Sequence, residues 1–200
     1  AQGKIKEARH RRFGLSVGRL DARAALGDGR RRRGQGRRRS PIGGRLRRAF
    51  QQRGWQVIAS CRNAEDAKFL NNTYGLDIVC IDYEKPATIE NGFKEALALT
   101  GGRLDVLFNN GAYAILAAVE DVPTDALRAI FEANFFGWHT LTRLALPVMF
   151  AQKSGRIIQN SSVLGFAAMR FRGAYVASKF ALEGLTDTLR LELDGSGVHA

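Results

Sequence analysis

The chain has 200 residues, of which 45% are hydrophobic, and it carries a formal net charge of +12. This length and composition suit one globular domain with a sizeable core. No apolar stretch approaches the ~20 residues of a membrane span, and the first thirty residues lack the apolar segment of a secretory signal. Cys61 and Cys80 fall in predicted buried strands and are typical of reduced core residues rather than of a disulfide. Together these features predict a cytoplasmic protein that does not cross a membrane.

The positive charge is concentrated in the first forty residues. Residues 1–40 carry twelve Arg and two Lys against three acidic residues, whereas residues 41–200 carry 17 basic and 16 acidic side chains. This Arg/Gly-rich segment is either a basic arm that binds nucleic acid or anionic surfaces by releasing counterions, or a start translated in the wrong reading frame. Phe13 is its only aromatic residue. The lack of further rings for base stacking argues against nucleic acid and favours a misframed or disordered segment.

From residue 44 onward, helix-like and strand-like patterns alternate, and glycines such as Gly54 and Gly75 mark the ends of segments. Alternation of this kind predicts right-handed βαβ units and a parallel sheet covered on both faces. We therefore predict an α/β fold, a Rossmann-like doubly wound parallel sheet, in a single domain over residues 41–200. The predicted strands are 55–60, 76–81, 104–108 and 156–159, and the predicted helices are one ending at residue 54, then 64–71, 86–100, 124–152 and 173–193.

Polar side chains that suit proton transfer to a carbonyl oxygen follow the later strands. Tyr175 and Lys179 are four residues apart, so on a helix they share one face. A nearby cation favours the ionised form of a phenol, which suits acid–base chemistry. Ser162 follows the predicted strand 156–159, at the strand end where open α/β sheets bind their ligands. The same half of the chain contains Asn109-Asn110-Gly111-Ala112 directly after a strand and Asn134 within a helix.

The order of these elements resembles the short-chain dehydrogenases/reductases, which have an Asn-Asn-Ala-Gly motif, a helix asparagine, a serine and then Tyr-x-x-x-Lys. The resemblance covers residues 40–200 and implies an oxidoreductase that interconverts an alcohol and a ketone or aldehyde by hydride transfer with a nicotinamide cofactor. Tyr175 would give and take the proton, and Lys179 would act on the phenol and hold the nicotinamide ribose. Ser162 would donate a hydrogen bond to the carbonyl oxygen, and Asn134 would anchor a water that connects the lysine to solvent.

The resemblance also implies a dinucleotide site. Cys61 stands where family members that prefer NAD have an acid, and Arg62 follows it, which favours the 2′-phosphate of NADP. NADP(H) is therefore the expected cofactor, with NAD(H) as the alternative. Asp82 matches the family aspartate that contacts the adenine, although a strand-end aspartate is also common in turns. The implied cofactor-binding residues are Gly43, Arg62, Asp82, Asn109, Gly111, Tyr175 and Lys179.

The resemblance fails at the first strand and the phosphate loop. The family's first strand aligns with residues 30–35, where four consecutive arginines cannot form a buried central strand because unpaired charges are too costly to desolvate. Pro41 removes a backbone N–H from a loop that presents N–H groups to phosphate, and only Gly43 remains of its glycines. The family's substrate loop after the last strand is also missing. We therefore expect a domain that is incomplete at both ends, lacks its central strand and binds NADPH weakly or not at all.

The substrate is expected to be a small-molecule alcohol or carbonyl compound. Phe166, Met169 and Phe171 lie between the serine and the tyrosine, where they either line an apolar substrate pocket or pack the core. The stretch 111–122 is similar to family members that are related to retinol and hydroxysteroid dehydrogenases. It favours a medium-sized apolar alcohol or ketone.

Family members usually pair through two long helices, which implies a homodimer or homotetramer. Phe135, Phe136, Trp138 and Leu141 are expected to leave more apolar surface on the first of these helices than one sheet face needs. No cluster of His, Cys and Asp has metal-ligand spacing, so no metal is expected.

Overall fold

The computed structural model describes residues 13–17, 49–75 and 77–200. These residues form a six-stranded parallel sheet in the order β3-β2-β1-β4-β5-β6. The strands are β1 (Phe13–Val17), β2 (Gln56–Cys61), β3 (Ile78–Cys80), β4 (Val106–Asn109), β5 (Gly155–Gln159) and β6 (Val198–His199). The helices are α1 (Ala64–Tyr74), α2 (Pro86–Leu99), α3 (Thr124–Phe131), α4 (Gly137–Gln152) and α5 (Gly173–Glu192).

A central strand is present, at a place that the sequence analysis did not predict. Strand β1 lies between β2 and β4, with Gly14 opposite Val57 on one side and Val106 on the other. The expectation that the chain lacks its central strand is therefore wrong. Phe-Gly-Leu-Ser-Val is uncharged and contains β-prone residues, so it suits a strand with neighbours on both sides. Because β1 lies inside the sheet, residues 13–17 cannot belong to a free basic arm. Gly43 and residues 30–35 lie outside the described residues.

Local sequence signals explain where the helices begin and end. The Asn63 side chain accepts a hydrogen bond from the backbone N–H of Asp66 at 2.7 Å and caps the start of α1. Gly75 closes α1 with φ of 59°, in the left-handed region that glycine adopts at low cost. Pro86 occupies the first turn of α2, where its missing N–H costs nothing. No helix in the described ranges is both long enough and apolar enough to cross a membrane.

The core lies on the sheet face that α4 covers. Trp138, Leu141, Ala145 and Met149 are fully buried along one side of α4, at the spacing of an inward helical stripe. They pack with strand residues such as Ile58, Leu107 and Ile157. The expectation that Trp138 and Leu141 leave apolar surface is therefore wrong, because both belong to the core. Phe136, in contrast, is 46% exposed.

The long helix predicted over residues 124–152 is interrupted. Residues Glu132–Phe136 form a π-helical turn between α3 and α4, and Asn134 lies within it, fully buried. Such wide turns contain an extra residue and are frequent at functional sites. The periodicity of the sequence did not reveal this turn, because the apolar pattern continues through it.

Candidate active site

The polar residues identified in the sequence gather at the carboxyl ends of β4 and β5. Strand β4 ends at Asn109, whose Nδ2 donates to Gln159 Oε1 at 3.0 Å. Beyond the strand ends, Asn160 Nδ2 donates to Asn110 Oδ1 at 2.6 Å, and the Asn160 N–H donates to the Asn109 carbonyl at 2.9 Å. These bonds hold the two strand ends together and fix the segments that follow them.

Asn134 connects the loop after β4 to the helix that contains Tyr175 and Lys179. Its Oδ1 accepts the N–H of Tyr113 at 3.0 Å, and its Nδ2 donates to the Tyr113 carbonyl at 2.9 Å. The same Nδ2 donates to Ser178 Oγ at 3.1 Å, and Ser178 Oγ in turn donates to the Tyr175 carbonyl at 2.8 Å. Asn134 thus fixes the backbone at Tyr113 relative to α5.

Lys179 is fully buried. Its Nζ donates to the Asn160 carbonyl at 3.0 Å and lies 4.2 Å from the centre of the Trp138 ring and 5.8 Å from that of the Tyr175 ring. Burial lowers the pKa of Lys179 to about 8, and the Glu183 carboxylate opposes this shift. The ammonium therefore sits in a low-dielectric site beside the Tyr175 ring, where its charge acts strongly.

Ser162 lies on a short 3₁₀ turn, Val163–Gly165, which packs against α5. Its Oγ accepts the Leu164 N–H at 3.1 Å and so caps the turn; the O–H remains free to donate elsewhere. Ser161 Oγ is buried without a hydrogen-bond partner among the described residues. Tyr175 is half-buried in the first turn of α5. The turn and the helix thus bring both predicted side chains to one region of the molecule.

A second part of the site is a cleft at the carboxyl ends of β2, β3 and β4. Asp82 and Arg62 follow β3 and β2, and Gly111 follows β4, so three of the predicted cofactor residues line the same cleft. The Asp82 carboxylate also accepts the Glu84 N–H at 3.3 Å, which is the turn role that the sequence left open. The lining consists of Ser60, Arg62, Ile81, Asp82, Tyr83, Glu84, Gly111, Ala112, Tyr113 and Ala133.

The cleft fits the adenosine end of a dinucleotide. It lies beside the switch between β1 and β4, where open α/β sheets bind such ligands. Arg62 supplies an exposed cation and Asp82 an acceptor. Asn109 lies buried close by, and its Oδ1 has no hydrogen-bond partner among the described residues.

The two cysteines lie opposite each other on β2 and β3 as free thiols. Cys61 is buried, and burial raises the pKa of its thiol to about 12, so it stays uncharged at neutral pH. A neutral thiol at the position of the family's acid cannot repel a phosphate. No group of three or more His, Cys, Asp or Glu in the described ranges could hold a metal ion.

Three residues of the site were not found from the sequence. Trp138 donates from Nε1 to the Gly111 carbonyl at 2.9 Å and contacts the Lys179 ammonium. Asn160 accepts from that ammonium, and Tyr113 is held by Asn134. Trp138 follows Asn134 by four residues, a spacing that could have placed both on one helix face. Asn160 contacts the lysine, and Tyr113 contacts Asn134, through backbone atoms, so no side-chain pattern could have predicted these two contacts.

A model of the short chain dehydrogenase family matches residues 39–200. The chain belongs to this family. Similar proteins include the uncharacterized oxidoreductase YbbO of Escherichia coli, 38% identical over 149 residues that make up 74% of this chain and 55% of that protein. Another is dehydrogenase/reductase SDR family member 7B of Bos taurus, 30% identical over 165 residues, or 78% of this chain and 51% of that protein. The chain spans about half the length of these curated relatives.

Solved structures have the same fold. A short-chain dehydrogenase from Streptomyces avermitilis superposes with a TM-score of 0.78 at 28% identity, covering 94% of this chain and 63% of that one. ElxO, solved with NADP bound, gives a TM-score of 0.78 at 19% identity, covering 94% and 70%; at this identity the match concerns the fold alone. The predicted family and the predicted Rossmann-like α/β fold are therefore confirmed.

Proposed function

We propose that the protein is an NADP(H)-dependent oxidoreductase that interconverts an alcohol and a ketone or aldehyde. The observation that best supports this function is the buried Lys179 ammonium, held by the Asn160 carbonyl 5.8 Å from the Tyr175 ring. A bound nicotinamide would supply or accept the hydride. The chain's own residues then have to bind, orient and exchange one proton with the substrate oxygen.

Tyr175 is proposed as the group that exchanges this proton. Its phenol would donate to the carbonyl oxygen during reduction and take the proton back during oxidation. The Lys179 charge favours the ionised form of the phenol and so lowers the cost of proton release. Ser162 would donate its O–H to the same oxygen and stabilise the negative charge that develops there.

Asn134 is proposed to position these groups and to bind a water. Both N–H groups of its amide are already engaged, by the Tyr113 carbonyl and by Ser178 Oγ. Its Oδ1 has accepted one N–H and retains one lone pair. A water that connects Lys179 to solvent would therefore bind Asn134 through this oxygen, and the main effect of Asn134 would be to fix Tyr113 relative to α5.

For the cofactor, we propose that Arg62 binds the 2′-phosphate of NADP(H) and Asp82 the adenine. Asn109 and Gly111 would pass beside the adenosine ribose, Gly43 would contribute to phosphate binding, and Tyr175 and Lys179 would approach the nicotinamide ribose. The exposed Arg62 guanidinium and the uncharged Cys61 thiol beside it both favour a phosphate. NAD(H) is the alternative cofactor.

We propose a medium-sized apolar alcohol or carbonyl compound as substrate. Phe166, Met169 and Phe171 are 73%, 55% and 62% exposed, so they do not pack the core of the described residues. The segment that contains them is joined to the loop after β4, because the Ala117 N–H donates to the Phe171 carbonyl at 3.2 Å. Leu116 in that loop and Val119, at the start of the 3₁₀ turn that follows it, are large apolar side chains that are also exposed.

The remaining expectations stay proposals. We propose a homodimer or homotetramer, a cytoplasmic location and a reaction without a metal ion. Phe136 in the π-turn, Phe150 in α4 and Phe180 in α5 are each about half exposed, and a family-type interface would cover them.

The test of the function is a fluorescence titration of the full-length protein with NADPH and with NADH. We expect a saturable NADPH signal with the lower Kd for NADPH. The same preparation should reduce apolar ketones or aldehydes with NADPH. The absence of any nucleotide binding would contradict the proposal.

A further inference from the structure

The backbone of Tyr113 is held in place beside the cleft. Both its N–H and its carbonyl are bonded to the Asn134 side chain, at 3.0 and 2.9 Å, and Asn134 is fully buried. A shift of the main chain at Tyr113 would break both bonds. The position of the Tyr113 backbone, from which the side chain enters the cleft, is therefore fixed by the same residue that is bonded to Ser178 of α5.

The Tyr113 side chain lies in the same cleft as one cationic and two acidic side chains. It lines the cleft together with Arg62, Asp82 and Glu84 and is 36% exposed. Partial burial raises the pKa of the Tyr113 phenol; the Glu84 carboxylate raises it further and the Arg62 guanidinium lowers it. The phenol is therefore protonated at neutral pH and presents a hydrogen-bond donor close to Arg62.

Building on the proposed use of NADP(H), we propose that Tyr113 is a specificity-determining residue for the cofactor. Its O–H would donate to the same 2′-phosphate that Arg62 binds. Glu84, on the rim of this cleft, would oppose that phosphate by like-charge repulsion. The discrimination between NADP(H) and NAD(H) would thus depend on three residues, two that attract the phosphate and one that repels it.

A neutral donor is useful at this place. Arg62 is exposed, so solvent and salt screen its attraction for the phosphate. The cleft also contains the Asp82 and Glu84 carboxylates, which reduce the local positive potential. The Tyr113 O–H adds a bond to the phosphate without adding a charge, and hydrogen bonds to charged groups are stronger than those between neutral groups. Added salt should therefore reduce the contribution of the Tyr113 bond to NADPH affinity less than it reduces the contribution of the Arg62 contact.

The test measures binding by the full-length protein of four ligands: NADPH, NADH, 2′,5′-ADP and 5′-AMP. Tyr113→Phe keeps the ring and removes the O–H, so Kd should rise about tenfold for the two ligands with a 2′-phosphate, as expected for a bond to a charged group. The Kd values for NADH and 5′-AMP should change less than about twofold, since they lack the contact. Glu84→Gln removes the repelling carboxylate, so the Kd for NADPH should fall. Circular dichroism checks that each variant is folded.

A double-mutant cycle with Arg62→Ala decides whether both residues bind the same group. The effects of Tyr113→Phe and Arg62→Ala on NADPH affinity should be non-additive, because residues that share one partner are coupled. Equal losses for NADPH and NADH, or no loss with Tyr113→Phe, would overturn the role of Tyr113 and leave the proposed function standing. If the unaltered protein bound none of the four ligands, both would be overturned.

Discussion

The Lys179 ammonium lies 4.2 Å from the centre of the Trp138 ring, and both side chains are fully buried. The ring face carries negative potential, so this contact partly compensates the desolvated charge. Its second partner is the Asn160 carbonyl at 3.0 Å. Neither partner carries a formal charge, which explains why burial still dominates and the pKa of Lys179 falls to about 8. Keeping the Lys179 cation in this buried position therefore lowers the stability of the folded protein.

Lys179→Met should make the protein more stable and inactive. One pKa unit corresponds to about 1.4 kcal/mol, so a fall of the Lys179 pKa from 10.5 to about 8 implies a cost of roughly 3 kcal/mol at pH 7. Removing the charge avoids this cost, but loss of the hydrogen bond to Asn160 offsets the gain in stability by about 1 kcal/mol. We expect the free energy of unfolding to rise by about 2 kcal/mol in urea denaturation. Lys94→Met, at an exposed position of α2, is the matched control and should change stability little.

The same lysine predicts how stability depends on pH. Its pKa is lower in the folded chain than in the unfolded chain, so the unfolded chain binds more protons between about pH 8 and 10.5. Lys179 therefore adds stability as the pH rises through this window. In Lys179→Met this contribution should be absent. Urea midpoints of both proteins, measured from pH 7 to 10, give the comparison, and parallel curves would contradict the assigned burial cost.

Tyr175→Phe should remove most of the turnover and leave NADPH binding nearly unchanged. The substitution keeps the ring that packs beside Lys179 and deletes the transferable proton. General acid–base catalysis contributes roughly 10²- to 10⁴-fold, so kcat should fall by at least about 100-fold. Stopped-flow measurement of ketone reduction together with NADPH titration separates the two effects. Substantial residual turnover would mean that another group exchanges the proton.

Arg62→Asp should weaken NADPH binding and improve NADH binding. The substitution removes a charge-assisted contact to the 2′-phosphate and places a carboxylate where it repels phosphate and accepts ribose hydroxyls. We expect the ratio of the two Kd values to change by about 100-fold or more, from the loss of one charged bond and the added repulsion. Arg53→Asp, at the other end of β2, is the control for the change of net charge. An unaltered ratio would make Arg62 an ordinary solvated arginine.

Asn134→Ala should be strongly destabilising. It leaves the N–H and carbonyl of Tyr113 without their partner, and each unsatisfied buried group costs about 1–3 kcal/mol. The loss should be about 2–4 kcal/mol in urea denaturation, whereas Asn91→Ala on the exposed side of α2 should cost nothing measurable. In variants that still fold, NADPH binding should weaken as well, because the cleft loses its fixed Tyr113.

Phe180→Asp and Phe136→Asp should shift the full-length protein toward monomers. Both rings are about half exposed, Phe136 in the π-turn and Phe180 in α5, and a carboxylate at either position would be desolvated in an interface. Sedimentation velocity at micromolar concentration gives the readout. Phe69→Asp, on α1 and similarly exposed, should leave assembly unchanged. If the unaltered full-length protein sediments as a monomer, the proposed interface is wrong.

The sequence predicted the fold wherever its periodicity was strong. The strands from β2 to β5 follow from local patterns that any parallel sheet would require. Strand β1 was not predicted, because Phe13–Val17 is a short segment within strongly basic surroundings and the family alignment places the strand elsewhere. Its place depends on two neighbouring strands far along the chain, which no local pattern encodes.

The helix shared by Tyr175 and Lys179 was predicted from the sequence, but the groups that hold Lys179 were not. Spacing identified Tyr175 and Lys179, and the structure places them on one helix as expected. The partners that hold the lysine are a backbone carbonyl, at Asn160, and an indole face, at Trp138. A contact made by a backbone atom does not depend on the residue type, so the sequence does not predict it. For a tryptophan in an apolar helix, the sequence pattern does not decide between the surface and the core. Their roles emerge only from the packing of α4 against α5 and the end of β5.

The π-turn at Glu132–Phe136 sets the rotational phase between two helices. Ile130, Asn134 and Trp138 recur every four residues through it and are all buried, and each residue of an α-helix turns the chain by about 100°. Deleting one residue from the turn would rotate α4 by about 100° about its axis. The ring of Trp138 would then leave Lys179, and the apolar stripe of α4 would turn away from the sheet. We therefore expect the fold to depend more on the length of this short segment than on the identity of its exposed residue Glu132.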